Sequence, residues 1–190
     1  MPSETNWLIA GLGNPGPQYA RTRHNLGFML VDLLAERFQT QVKRSECRSL
    51  VGRAQFDDQL IELAKPQTFM NLSGEAVSCL LATSERAIDK LIVISDDLAL
   101  PFGTMRIRPK GTHGGQNGLR SIIDRVGTQE FTRLRIGIQP EHPVRDASRF
   151  VLENFSKAEA AELDEILGRA ADAIESIVRD GVDAAMAKFN

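Results

Sequence analysis

W-L-I-A-G-L-G-N-P-G-P-Q-Y-A-R-T-R-H-N-L-G, residues 7–27, decides how this chain is read. The apolar run 7–10 has the length and character of a buried strand. It passes directly into Gly11-Leu12-Gly13-Asn14-Pro15-Gly16, then an irregular loop, then Thr22-Arg23-His24-Asn25. The segment 26–38 follows, with Phe28, Val31, Leu34 and Ala35 at helical spacing and Asp32 and Glu36 turned away. Asn25 stands where an N-cap belongs. A strand end, a glycine turn, a histidine and a helix start therefore fall together, which is where open α/β sheets place their sites.

Gly11, Gly13 and Gly16 match the dinucleotide pattern G-x-G-x-x-G, but their context does not. A nucleotide-binding turn runs straight into a helix whose N-terminus faces the pyrophosphate. Here Pro15 and Pro17 interrupt, and helical patterning resumes only near Asn25. The acidic residue expected about twenty positions on would be Asp32 or Glu36, both inside the predicted helix.

The 190 residues suffice for one α/β domain with a sizeable core. No apolar run reaches membrane-spanning length, and residues 1–6 form a polar extension without a signal-peptide core. Cys47 and Cys79 lack metal or redox spacing, so two unpaired cysteines in a reducing cytoplasm are expected. The net charge of −2 does not by itself suggest nucleic acid. Its distribution is uneven: residues 103–149 hold 9 basic against 4 acidic side chains, and residues 150–190 hold 4 against 9. The middle block suits a polyanion, or merely a soluble surface; the tail suits a solvated helix face.

Residues 48–56 and 59–64, turned by Asp57-Asp58, read as a hairpin. Residues 65–74 form a strand-to-helix loop in which Asn71 or Ser73 is a candidate cap. Residues 91–94 read as a strand buried on both faces, ending in Ser95-Asp96-Asp97. Residues 104–109 and 131–138 alternate, with Met105, Ile107, Leu134, Ile136 and Ile138 toward the core. Arg106, Arg108, Arg133 and Arg135 then share the other faces, a candidate phosphate-facing patch. Between these strands a glycine-rich loop, 111–118, opens a helix. Residues 139–148, with two prolines, form a candidate lid loop. Residues 156–190 form a C-terminal helical segment that opens on a Ser156/Glu159 capping box, with Gly181 ending its helix.

The polar groups at these strand ends and loops are Asn14, His24, Asn71, Asp96, His113 and Asn117. They include a histidine and an aspartate but no evident nucleophile. Such a pair suits activation of water: neutral imidazole takes the proton and the carboxylate fixes its tautomer. Asparagines supply uncharged donors and acceptors that hold water and polarise a carbonyl. Ester hydrolysis fits this set. Read alone, His24 also fits a turn histidine that satisfies backbone groups.

Gly11-Leu12-Gly13-Asn14-Pro15-Gly16 with Tyr19 and Thr22-Arg23-His24-Asn25-x-Gly27 resembles the opening signature of bacterial-type peptidyl-tRNA hydrolases. Lys65-Pro66 through Phe69-Met70-Asn71 to Gly74 resembles a second signature, and the loop 111–118 a third, in the same order. The likeness covers residues 8–150. It implies a single α/β domain of three layers, 1–190, with a twisted, mixed, mostly parallel sheet flanked by helices. It implies cleavage of the ester between a peptide and the 3′ end of tRNA by His-activated water, freeing tRNA for translation. By the same resemblance His24 is the base, Asp96 its orienting partner, and Asn14, Asn71 and Asn117 position water, carbonyl and the RNA end. Tyr19, Phe69 and Met70 would border the cleft, and Arg108 and Arg135 would hold the 5′ phosphate. A cytoplasmic monomer is implied, with peptidyl-tRNA as partner, no cofactor, no metal, no membrane and no obligate protein partner. A non-catalytic RNA-binding relative of the same fold is the alternative. The chain departs from the pattern at Gln116, where many members have histidine, and at Ala99, where many carry an acid.

Overall fold

Leu8, Ile9 and Ala10 are fully buried because the first strand, β1 (Asn6–Gly11), lies inside the sheet with helices on both faces. The computed structural model describes residues 5–190. After β1 come α1 (Leu26–Arg37), β2 (Arg44–Glu46), β3 (Ser49–Phe56), β4 (Gln59–Pro66) and α2 (Ser73–Leu81). Then follow β5 (Arg86–Pro101), β6 (Met105–Arg108), α3 (Asn117–Val126), β7 (Thr132–Gln139), α4 (Ala147–Val151), α5 (Lys157–Asp180) and α6 (Val182–Phe189).

One sheet of seven strands has the order β2-β3-β4-β1-β5-β7-β6. The central β4, β1, β5 and β7 run parallel, and antiparallel pairs extend both edges. Period-2 alternation sorts the core into two layers. Leu8, Ala10, Leu91 and Val93 pack with α2 and α3, whereas Ile9, Ile92 and Ile94 pack with α1 and α5. The chain goes to β4 on one side of β1 and to β5 on the other, so the topological switch point lies between β1 and β5. The three-layer domain, the hairpin, the outward Arg106 and Arg108, and the capping box at Ser156 all agree with the sequence.

Several local expectations change. Residues 1–4 of the predicted N-terminal extension lie outside the described residues; Asn6 already belongs to β1 and is buried. Asn25 precedes α1 but makes no cap bond, because its side chain is bound to the backbone of Asn14. Neither Asn71 nor Ser73 caps α2; the Ser73 hydroxyl donates to the Met70 carbonyl. The expected strand 91–94 is the middle of a 16-residue strand, since β7 pairs with it from Ile92 to Asp97 and again at Pro101. Asp96 thus sits within an extended strand. The tail ends in a further helix, α6, beyond Gly181.

The two cysteines are not unpaired. Cys47 and Cys79 form a disulfide, with Cα atoms 5.6 Å apart. Cys47 and Arg48 hold φ near 50° and 54° in the β2–β3 turn, and the bridge ties this turn to the partly exposed end of α2. The loop it closes spans 32 positions. Cys47→Ser is therefore expected to lower the stability of the oxidised protein by about 3–4 kcal/mol on chain-entropy grounds. Urea titrations with and without reductant check this: identical midpoints for the two states of the wild type would contradict it.

Candidate active site

Gly11 ends β1 against the first turn of α1. A Cβ on Gly11 would lie 2.1 Å from the Gly27 carbonyl oxygen, and one on Gly27 2.3 Å from the Leu12 nitrogen. Backbone meets backbone here, and only glycine permits it. This contact folds the intervening loop over the carboxyl ends of β1 and β5. The loop makes two short 3-10 turns, Pro17–Tyr19 and Arg23–Asn25, rather than a helix aimed at the glycines. The dinucleotide reading fails on that geometry.

The second turn presents His24. Its Nδ1 lies 2.8 Å from Asp96 Oδ2 and 3.0 Å from Oδ1. Asp96 is 2% exposed and His24 9%. Against an ionised carboxylate the Nδ1–H must donate, which leaves Nε2 with a free lone pair. β1 stops pairing at Ile94, whereas β5 continues, so Asp96 stands where one flank of its strand is open.

Asn14 is set by its surroundings. Its backbone N–H donates to Asn25 Oδ1 at 2.9 Å, and Asn25 Nδ2 donates back to its carbonyl at 3.0 Å. Its side-chain Oδ1 accepts from the Met70 N–H at 2.8 Å. The amide is therefore oriented, with Nδ2 left as a donor. Met70 continues the chain of contacts, since its Sδ lies 3.3 Å from Gln116 Nε2. Gln116 Nε2 donates to Asp96 Oδ1 at 3.1 Å.

A cavity of about 430 Å³ opens beside the pair. Its walls include His24, Asp96, Asn117 and Gln116, with Ala147, Ser148 and Val151 of α4 opposite. Of the predicted site residues, His24, Asp96 and Asn117 share this cavity. Asn14 and Met70 join it through Gln116. Tyr19 and Phe69 meet edge-on with ring centroids 6.5 Å apart, and Phe69 is 54% exposed. Asn71 is exposed in the neighbouring turn.

The arginines divide. Arg135 pairs with Asp97 at 2.9 Å, and its guanidinium lies against Gly114. Arg108 is exposed, with one N–H on its own strand's Ile107 carbonyl, and is not brought to the His–Asp pair. Arg133 does not belong to a phosphate-facing patch. It is 1% exposed and donates to the carbonyls of Gly111, Thr112, Gln129 and Phe131. Burial and the neighbouring Arg135 push its pKa down to about 10. Arg133 is the internal post of the glycine loop.

Two contributors were hidden in the sequence. Arg23 clamps the histidine turn to the tail through Phe150 and Glu159. Gln116 was visible only as a departure from a pattern. Among the described residues no Ser, Thr or Cys side chain hydrogen-bonds to His24, and no group of three His, Cys, Asp or Glu could hold a metal. What the arrangement can do is take one proton at His24 Nε2, while Asn14 Nδ2 remains an uncommitted amide donor.

Residues 8–190 match the family described as peptidyl-tRNA hydrolase. A peptidyl-tRNA hydrolase of Solibacter usitatus is 48% identical over 184 residues, covering 97% of this chain and 94% of that protein. One from Chloroflexus aurantiacus is 49% identical over 187 residues, covering 97% and 98%. The crystal structure of the Acinetobacter baumannii peptidyl-tRNA hydrolase superposes with a TM-score of 0.90 at 33% identity, covering 100% of this chain and 96% of that one. With the family matched over nearly its whole length, this chain belongs to the peptidyl-tRNA hydrolases.

Proposed function

We propose that the chain hydrolyses the ester joining a peptide to the 3′ end of tRNA, with His24 as general base toward water. The observation that carries this is the buried His24–Asp96 pair at a cavity wall, with no nucleophile among the described residues bonded to the imidazole. Water held near Nε2 loses its proton to His24 as it attacks the ester carbonyl. Asp96 stabilises the imidazolium that forms. The proton then passes to the departing 3′ oxygen of the tRNA. Asn14 Nδ2 and Asn117 are donors for the developing oxyanion and for the RNA end, and Asn71 borders the same path. Tyr19, Phe69 and Met70 line the approach, where a base or peptide side chain can stack.

The basic block 103–149 supplies phosphate contacts. Arg108 is free to meet a phosphate, and Arg135 does so beside its Asp97 partner. Residues 139–148 act as a lid that continues into α4, whose Ala147 and Ser148 line the cavity. The enzyme works as a cytoplasmic monomer on peptidyl-tRNA and returns tRNA to translation. No helix among the described residues is long and apolar enough to cross a membrane.

The test is hydrolysis of an N-acetyl-aminoacyl-tRNA beside the unblocked aminoacyl-tRNA. Release from the blocked substrate alone is expected. Tight RNA binding without release from either substrate would replace this proposal with a non-catalytic RNA-binding role.

A further inference from the structure

We infer that Gln116 is a positioning residue that holds Asp96, and through it His24, in the reactive geometry. The inference rests on reading His24 as the base.

Gln116 is 8% exposed and both ends of its amide are committed. Its Oε1 accepts from the Leu119 N–H at 2.8 Å, capping α3. An orphan N–H at a helix start demands an acceptor, so the oxygen must face the helix. The amide nitrogen is then forced toward Asp96 Oδ1. Reversing it would set a carbonyl oxygen against a carboxylate. The backbone is fixed as well: Gln116 N–H donates to the His113 carbonyl at 3.0 Å, and its carbonyl accepts from Arg120 at 3.0 Å. Asp96 Oδ1 thus has two donors, His24 and Gln116, and Oδ2 has His24. A neutral donor fixes the carboxylate without cancelling its charge, so the full negative charge remains for the imidazolium.

The charged and titratable groups facing this point are few. Asp97, next on β5, is paired with Arg135 of β7. His113 in the glycine loop accepts the Gly115 N–H at Nδ1. Arg23, beside His24, is turned onto Phe150 and Glu159. The α4 wall supplies Ala147, Ser148 and Val151, which carry no charge.

Gln116→Glu separates positioning from capping. Glutamate keeps an acceptor for Leu119 at every pH, and an ionised one suits a helix N-terminus better still. Toward Asp96 its behaviour depends on pH. Two carboxylates at this distance share a proton, so at low pH the protonated Glu donates to Asp96 as Gln116 does. When that proton leaves, the donor is lost and like charges repel.

The ratio of the variant's kcat to that of the wild type is therefore expected to be within a few-fold of unity near pH 5.5. It should fall about ten-fold or more by pH 8.5, with thermal stability held near pH 5.5 and lowered as the second carboxylate ionises. Gln116→Leu is expected to lose roughly 10- to 100-fold in kcat at all pH, with KM nearly unchanged, as for a lost hydrogen bond to a charged group. A ratio constant with pH in Gln116→Glu, or a folded Gln116→Leu with wild-type kcat, would overturn the inference.

A second readout needs no turnover. The His24 Nδ1–H on its carboxylate gives a far-downfield proton resonance. In Gln116→Glu it is expected at low pH and lost as pH rises. Its persistence at high pH overturns the inference even if wild type leaves peptidyl-tRNA intact, an outcome that would count against the hydrolase mechanism alone.

Discussion

His24→Ala is expected to lower single-turnover hydrolysis of a blocked aminoacyl-tRNA by about 10²- to 10⁴-fold, the range general-base catalysis contributes. Substrate binding should change little, because Arg108 and Arg135, proposed to meet phosphate, are untouched. The fold should survive. Among the described residues the ring's hydrogen bonds go only to Asp96, and the turn itself is held by backbone bonds such as Arg23 N–H to the Glu153 carbonyl at 3.1 Å. Asp96 keeps Gln116 as a donor, so stability should fall by only about 1–2 kcal/mol. Rapid-quench kinetics beside a thermal melt checks both halves. A folded His24→Ala protein with near-normal turnover would remove His24 from the chemistry and direct attention to Asp96 or His113.

A large expected effect on stability, comparable to that of the disulfide, lies at the other end of the sheet. Glu62 on β4 is 0% exposed and accepts from Asn6 Nδ2 at 2.9 Å and from Arg86 Nε at 3.2 Å and Nη2. The Arg86 side chain is only 1% exposed; it keeps Glu46 at 2.7 Å and the Leu80 carbonyl at 2.9 Å. Glu62→Ala removes the buried carboxylate and leaves a buried guanidinium half-paired, which costs about 3–5 kcal/mol. Glu46 remains as a partner, so the lower end is expected. A guanidinium titration should show the midpoint falling at constant slope; a change below about 1 kcal/mol would mean that Glu46 alone satisfies Arg86.

The same site carries a pH dependence. Burial pushes the Glu62 carboxyl up, but hydrogen bonds from Arg86 and Asn6 and the charges of Arg86 and Arg53 outweigh it. The net position is below the usual carboxylate range. A depressed carboxyl contributes stability above its unfolded value, near 4.3, and loses it as pH falls toward the folded value. Glu46 and Glu159 are lowered too, chiefly by Arg86 for Glu46, and for Glu159 by Ser156 and Arg23 against the cost of burial. Wild type should therefore lose stability below about pH 4.3, and Glu62→Ala should lose less over that interval.

The sequence was most legible where pattern and chemistry coincide locally. Residues 7–27 announced a strand, a glycine contact and a histidine turn, and the alternation in β6 and β7 put Met105, Ile107, Leu134 and Ile136 in the core. Alternation separates the two faces of a strand but does not say which faces are covered. Arg133 shares its face with Phe131, beneath the glycine loop, and so was misread as phosphate-facing. The length of β5 depended on a partner forty residues further along the chain. The Cys47–Cys79 bridge depended on a turn in the left-handed region that no spacing rule exposes. Gln116 looked like a loss, because a pattern records which residue is usual and not what an amide can bind at both ends.

Arg23 has a consequence for heat. Its guanidinium sits 3.9 Å from the Phe150 ring centroid and donates to Glu159 at 2.8 Å, and Thr22 bridges to Asn154. The residue before His24 is thus bolted to the junction of α4 and α5. Loosening of that junction would reach His24 directly, without any opening of the sheet. Thermal inactivation is then expected to follow residues 150–159: turnover should fade at or below the temperature at which the β-sheet melts.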